Sequence, residues 1–261
     1  MNILFIGDII GKPGRRAVRE LLPALVNEHS IDLVVANCEN AAAGFGITRD
    51  IIEELYASHI DILTSGNHVW DKKEALEFIS DYETLLRPAN YPAAVPGHGS
   101  VLYPTPGGDY VGVLNLAGRI FMQPIDCPFV KAQEEIARLR ARTKVIIVDI
   151  HAEATSEKKA LGWYLDGQVS AVLGTHTHVQ TADDEILTGG TAYLSDAGMT
   201  GPFDSVIGIK KETIIEKFLT QIPNKFDVAK NDIRLQGAVL DIDPASGRAR
   251  AIERISVKLN E

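Results

Sequence analysis

The sequence predicts an α/β fold, and three observations carry that expectation. Short apolar runs alternate with amphipathic stretches through the first 80 residues and again beyond residue 129. That alternation is the pattern of a mostly parallel sheet with helices outside it. Between the two stretches, Pro88, Pro92, Pro96, Pro104, Pro106 and several glycines break up short extended runs, which reads as hairpins and a second sheet. Finally, the 261 residues are 45% hydrophobic and 23% charged, with mean hydropathy near zero. That profile is globular; it excludes a disordered, collagen-like or membrane-spanning chain.

Taken in order, residues 3–6 are an apolar run suited to a buried strand. Residues 15–27 read as a helix weakened or kinked by Pro23. Residues 31–36 form the next strand. Residues 47–58 are helical, with Ile47, Ile51, Ile52 and Leu55 on one face. Residues 60–64 are a third strand and 70–80 a third helix. In the middle, 100–103 and 111–116 are short strands. The βα pattern then returns: helix 129–142, a strongly apolar strand 144–150, helix 158–164 and a buried strand 169–173. Residues 185–187 and 191–194 pair over Gly189-Gly190, and 210–220 are helical. Residues 235–242 and 248–258 close the chain as a hairpin over Asp243-Pro244-Ala245-Ser246-Gly247. No linker or low-complexity stretch intervenes, so residues 1–261 are expected to be a single domain.

Net charge is −9 and pI about 5.3. With no basic run or basic-aromatic stripe, stable duplex nucleic acid is not expected as a partner. An acidic protein that binds phosphate needs local positive charge, which a metal can supply. Two cysteines, Cys38 and Cys127, do not make a secreted disulfide framework. The first eight residues lack a basic region and are interrupted by Asp8, unlike a signal peptide. No apolar run reaches the roughly 18 residues of a membrane span. A cytoplasmic, homo-oligomeric protein is the default expectation.

Several apolar runs finish in metal-ligand residue types. The first runs into Gly7-Asp8, the second into Asn37-Cys38-Glu39-Asn40 and the third into Gly66-Asn67-His68. The 144–150 run ends at His151, and the 169–173 run leads into Gly174-Thr175-His176-Thr177-His178. In open α/β sheets, sites form beyond the carboxyl ends of strands. A lone Asp or Asn there is ordinarily a cap or turn residue. His29 and His59, at helix ends, are explained by the helix dipole, and His98 lies in a Pro-Gly loop. The other four of the seven histidines, His68, His151, His176 and His178, all fall at strand ends. His176-x-His178 is the sharpest of these signals, because both imidazoles can reach one metal centre. Gly7, Gly11 and Gly14 do not have dinucleotide-binding spacing, Gly11-Lys12 is not a P-loop, and no GxSxG elbow is present. Cys38 reads as a packed small residue beside the site and Cys127 as structural.

In this order the residues resemble the calcineurin-like metallophosphoesterases: Asp8, Glu39, Gly66-Asn67-His68, His151, then Gly174-Thr175-His176-Thr177-His178. Two positions depart from that superfamily's pattern, which has Asp-x-His where Asp8-Ile9-Ile10 stands and Asp where Glu39 stands. Glu39-Asn40-Ala41-Ala42-Ala43-Gly44-Phe45-Gly46-Ile47-Thr48 and Gly198-Met199-Thr200-Gly201-Pro202 resemble one branch, the bacterial YmdB-like phosphodiesterases, along essentially the full chain. The resemblance implies a four-layer αββα sandwich of two mixed sheets with helices on both outer faces. It also implies hydrolysis of 2′,3′-cyclic nucleotides, such as 2′,3′-cAMP, to nucleoside monophosphates by a metal-bridging hydroxide. Two divalent or trivalent ions, iron or manganese, are implied. One would take Asp8, Glu39, Asn40 and His178, and the other Glu39, Asn67, His151 and His176. Asn40 stands in for the missing histidine, and Glu39 bridges ions about 3.5–4 Å apart. His68, next to a ligand but free of metal, is then the general acid for the leaving ribose oxygen, or alternatively an orienter of Asn67. Two carboxylates against two divalent ions leave a positive surplus that suits a phosphodiester anion. The same ligands would serve a phosphomonoesterase or nucleotidase. A regulatory RNA-metabolism protein with low activity is the remaining alternative. The loops 44–48, 88–99 and 198–204 are candidates for contacting substrate.

Overall fold

The strands nearest the chain's start are apolar on both faces because each is covered on both faces. The computed structural model describes residues 1–105 and 107–260; Pro106, one of the expected strand breaks, and Glu261 lie outside the described residues. β1 (Asn2–Ile6) sends Ile3 and Phe5 into one core and Leu4 and Ile6 into another. The two-residue β2 (Asp8–Ile9) follows, then α1 (Gly11–Glu28), β3 (Leu33–Asn37), α2 (Arg49–Ala57), β4 (Ile62–Thr64) and the short α3 (Ala75–Phe78). β5 (Ser100–Pro104) and β6 (Tyr110–Ala117) form an antiparallel hairpin. Next come α4 (Pro128–Arg140), β7 (Val145–His151), α5 (Thr155–Leu165) and β8 (Ala171–Thr175). The chain ends through β9 (Glu185–Ile186), β10 (Ala192–Leu194), β11 (Met199–Pro202), α6 (Lys211–Thr220) and the hairpin of β12 (Ile233–Ile242) and β13 (Ala249–Lys258).

These strands make two mixed sheets. One has the order β2-β11-β12-β1-β3-β4, with β13 paired to β12, and the other β5-β6-β7-β8-β10-β9. β1, β3 and β4 run parallel, as do β6, β7, β8 and β10. Three hydrophobic layers follow from the period of two along each strand. The middle layer holds Ile3, Phe5, Leu33 and Val35 of one sheet against Val113, Val145, Ile147 and Leu173 of the other. An outer layer packs α1 and α2, through Ala17, Val18, Ile52 and Leu55, on the first sheet. The opposite outer layer packs α4 and α5, through Ile136, Leu139 and Leu161, on the second. The architecture is the four-layer αββα metallophosphoesterase sandwich that the resemblance implied.

Three local expectations change. α1 starts four residues before the expected position and continues through Pro23. Pro13 sits in its first turn, where a missing N–H costs nothing. Pro23 and Arg19, whose carbonyl loses its helical partner, are both exposed, so this loss falls on the solvent-facing side of the helix. The helix expected over 70–80 is confined to α3 and one 3₁₀ turn, Ile79–Asp81. The chain leaving β4 is instead drawn into turns, because the His68 amide donates to the Glu39 carboxylate (2.9 Å). The 198–204 segment contains β11, whose edges pair with β2 and β12, and so is not an open loop.

Candidate metal centre

The carboxyl ends of β3, β4, β7 and β8 lie along one rim, with Asp8 of β2 beside them. Of the eight residues singled out in the sequence, Asp8, Glu39 and His151 are fully buried and Asn40 nearly so. Two clusters emerge. In one, Nε2 of His151 lies 3.0 Å from Glu39 Oε1, 3.1 Å from Asn67 Oδ1 and 3.0 Å from His176 Nδ1. In the other, Nε2 of His178 lies 3.2 Å from the Asn40 amide and 3.8 Å from Asp8 Oδ1. The Asn40 amide also donates to Glu39 Oε1 (3.1 Å), so Glu39 touches both clusters. Glu39, His151 and His176 bring one ligand atom each within 4.8 Å of one another.

The backbone is bent to achieve this. His176 has φ +102° and His178 φ +63°, values that side-chain-bearing residues rarely adopt and that cluster where function over-determines geometry. Gly66 has no freedom to be anything larger, since a Cβ there would sit 2.2 Å from the His151 ring.

Each ring is also fixed in rotation and in which nitrogen it presents. The single hydroxyl proton of Thr175 goes to Asp149 Oδ1 (2.7 Å). Its oxygen therefore accepts from His151 Nδ1 (2.9 Å), which leaves Nε2 as the nitrogen facing the cluster. His178 donates from Nδ1 to the Ile207 carbonyl (3.0 Å), again leaving Nε2 inward. His176 faces inward through Nδ1, with Nε2 against Glu153 (3.1 Å). Behind the His176-Thr177-His178 turn, Asp196 accepts from the Thr177 amide and hydroxyl and from the buried Lys158 ammonium.

Electrostatics concentrate here. Burial favours the neutral acid of Asp8 and raises it, against the pull of His178 and His151. Glu39 is buried too, yet the His151 charge and its hydrogen bonds bring it down to about 2. Burial alone would lower His151; the Glu39 and Asp8 carboxylates outweigh it and lift the imidazole to about 9. His176, buried beside that cation, falls to about 3. Burial raises Asp149 to about 6 in spite of His151 and of donors from Thr64, Thr175 and Asn37. A proton on His151 Nε2 thus occupies the position where a cation would sit, and metal binding there would release it.

Whether these residues suit a metal is tested by Asp8. Its Oδ1 is buried without a hydrogen-bond partner among the described residues, which native carboxylate oxygens rarely tolerate. It points between Nδ1 of His151 (3.9 Å) and Nε2 of His178 (3.8 Å). A cation would supply the missing partner. Carboxylate oxygens and the Asn67 amide oxygen, mixed with imidazole nitrogens, suit a first-row transition ion.

His68 stands apart from both clusters. Its Nδ1 is held by Asp71 Oδ2 (2.9 Å), and its ring meets Phe45 edge-on at 5.0 Å. Its Nε2 has no hydrogen-bond partner among the described residues. Of the three loops named from sequence, only 44–48 reaches the cavity over the site, through Gly44 and Phe45. Cys38 is fully buried and burial pushes its thiol up; it and Cys127 are both free. Asp71, Thr175, Asp196 and Lys158 were not anticipated. Asp149 left a trace in the sequence, as the one charge within the apolar strand Val145–His151.

The sequence profile of the YmdB-like protein family matches residues 4–255. A Bacillus subtilis protein named 2′,3′-cyclic-nucleotide 2′-phosphodiesterase is 51% identical over 257 residues, 98% of this chain and 97% of that one. A Thermus thermophilus crystal structure of a hypothetical protein superposes with a TM-score of 0.92 at 41% identity, covering 99% of both chains. A Mycoplasma pneumoniae structure described as a novel phosphatase gives a TM-score of 0.92 at 33% identity, over 99% of this chain and 93% of that one. No helix among the described residues is long and apolar enough to cross a membrane.

Proposed function

The chain belongs to the YmdB-like protein family, and from that premise we propose that it is a metal-dependent phosphodiesterase that opens 2′,3′-cyclic nucleotides to nucleoside monophosphates. The observation that carries this reading is the pair of donor clusters joined through Glu39, with the partnerless Asp8 Oδ1 between His151 and His178. In this reading Asp8, Glu39, Asn40 and His178 hold one ion, and Glu39, Asn67, His151 and His176 hold a second, iron or manganese. Bound there, the ions supply Lewis acidity at the phosphoryl oxygens and an acidified water.

The chain's own groups do the rest. With only two carboxylates, Asp8 and Glu39, among the proposed ligands, two divalent ions would leave a positive surplus that suits a phosphodiester anion. Thr175 and the Ile207 carbonyl hold the His151 and His178 rings in place. His68 holds a proton at Nε2 and delivers it to the departing ribose oxygen, with Asp71 orienting the ring. The name of the B. subtilis relative specifies the 2′ bond, and the same regiochemistry here yields a 3′-monophosphate. Residues 1–261 act as one domain.

The test pairs elemental analysis with turnover of 2′,3′-cAMP and of 3′-AMP on the same sample. Two metal ions per chain, hydrolysis of the cyclic diester and loss of it on chelation are expected. Faster hydrolysis of 3′-AMP than of the cyclic diester replaces the reading with a nucleotidase. Metal without turnover of either refutes an enzymatic role.

A further inference from the structure

The cavity over the candidate centre has a second half that the phosphodiester chemistry does not use. It encloses about 510 Å³, with Glu39, Asn40, His68, His176 and His178 at its floor. That volume is in the range of a small-molecule site and exceeds what a cyclic phosphate and its ribose need. The rest is lined by Phe45 and Phe226 and by Ile214 and Phe218 of α6. Phe45 and Phe226 lie 6.4 Å apart, tilted by 32°, and both are half-buried. The Lys217 ammonium sits over the Phe226 ring at 4.5 Å.

From this geometry we infer that the aromatic wall of Phe45 and Phe226, closed by α6, is a nucleobase subsite that selects nucleotides over other cyclic phosphodiesters. The inference rests on the phosphodiesterase reading above and adds what the enzyme recognises beyond phosphate. Three points support it. The wall is continuous with the centre, because the Phe45 ring meets the His68 ring at 5.0 Å. A cyclic phosphate lying beside His68 would bring its base, one sugar ring away, against this aromatic wall. The wall is also aromatic rather than merely apolar, and base–aromatic stacking is effective with any base. Finally, the groups able to read a base edge are few and already engaged. The Gln221 amide donates to the carbonyl of Phe218, and Lys217 lies on Phe226. The subsite accepts all four bases, with purines preferred for their larger ring area.

The experiment compares kcat/KM of the metal-loaded protein on 2′,3′-cAMP and on 1-O-methyl-β-ribofuranoside 2′,3′-cyclic phosphate, which has the same reacting ring and no base. Wild type is expected to favour the nucleotide by about tenfold, mostly through KM. Phe226→Ala should treat the two substrates nearly alike, and Phe226→Tyr should restore the preference. Adenosine without phosphate should bind the wild type in calorimetry and bind Phe226→Ala more weakly. Equal kcat/KM on the two substrates by wild type overturns the subsite and leaves the phosphodiesterase reading intact. Turnover of neither substrate overturns both. If Phe226→Ala does not fold, the wild-type comparison and Phe218→Ala on the exposed α6 wall, expected to lose part of the preference, decide the matter.

Discussion

Replacing Thr175 with valine should unlock His151 without changing the shape of the site. Thr175 is fully buried, and Val is nearly its isostere, so packing is kept while the hydroxyl is lost. Three hydrogen bonds disappear: those accepted from His151 Nδ1 (2.9 Å) and Asn37 Nδ2 (3.4 Å), and the one donated to Asp149 Oδ1 (2.7 Å). Asp149 retains Thr64 and Asn37 as donors on its other oxygen, so most of the cost falls on the stranded imidazole N–H. Leaving one buried donor unsatisfied costs about 1–3 kcal/mol. With the weakened Asp149 contact the loss is about 2–3 kcal/mol, or roughly 5–10 °C in Tm for a chain of this size. The second effect is on the centre. An imidazole free to rotate, and to move its proton between nitrogens, is a poorer ligand by about 10–100-fold in metal affinity. The assay is calorimetric titration of Mn²⁺ into wild type, Thr175→Val and Thr175→Ser, with thermal melts alongside. Serine keeps the hydroxyl and should bind metal nearly as wild type does. If the valine protein melts lower but binds Mn²⁺ with unchanged affinity, Thr175 is only a packing residue and the ring-locking argument is wrong.

Other expectations follow from the same geometry. Glu39→Ala removes the carboxylate shared by both clusters, so elemental analysis should find both ions lost or sharply reduced; retention of two refutes the bridging assignment. His68→Ala should keep the metal content while lowering turnover of 2′,3′-cAMP by about 10²–10⁴-fold. Asp71→Asn should lower turnover less and shift the pH–rate profile, whereas a residue that only packs would leave that profile in place. Far from the site, hydrogen bonds from Arg234 and Lys258 hold Asp232 down at about 2. Its folded value lies below the usual aspartate value of about 4, so its contribution is present above that usual value and is lost as pH falls towards 2. The Tm difference between wild type and Asp232→Asn should therefore be present at pH 7 and shrink between pH 4 and 2. A difference that persists undiminished across that window contradicts the assignment.

What was legible in the sequence was the placement of donors, because each follows an apolar run and a parallel sheet delivers such residues to one rim. Asp8, Glu39, Asn40, Asn67, His151, His176 and His178 could be gathered in that way. The devices that hold them could not. Thr175 reads as an ordinary strand-end threonine, and its role exists only because β7 and β8 are neighbours in register at His151 and Thr175. The Ile207 carbonyl and the Asp71 carboxylate likewise act through contacts that no periodicity encodes. The helix expected over 70–80 failed because local propensity yielded to a long-range bond, that of the His68 amide to Glu39. The 198–204 segment looked like a loop because glycine and proline mark turns. There they let β11 run between β2 and β12, where a Cβ on Gly7 would meet the Gly198 carbonyl at 2.1 Å.

The two donor clusters draw on both sheets: Asp8, Glu39, Asn40 and Asn67 come from the first, and His151, His176 and His178 from the second. In an unfolded chain these two groups are distant, and no high-affinity chelate exists. An ion that joins them can be captured only after the sheets have stacked, so its binding energy is added wholly to the folded side. At one hundred times its dissociation constant such an ion contributes about 2.7 kcal/mol. Metal supply would then govern how long a newly made chain survives, because an unloaded protein visits the open state more often and is exposed to proteases when it does. A cell short of the ion would experience the shortage as a fall in the amount of this protein as well as in its rate of turnover.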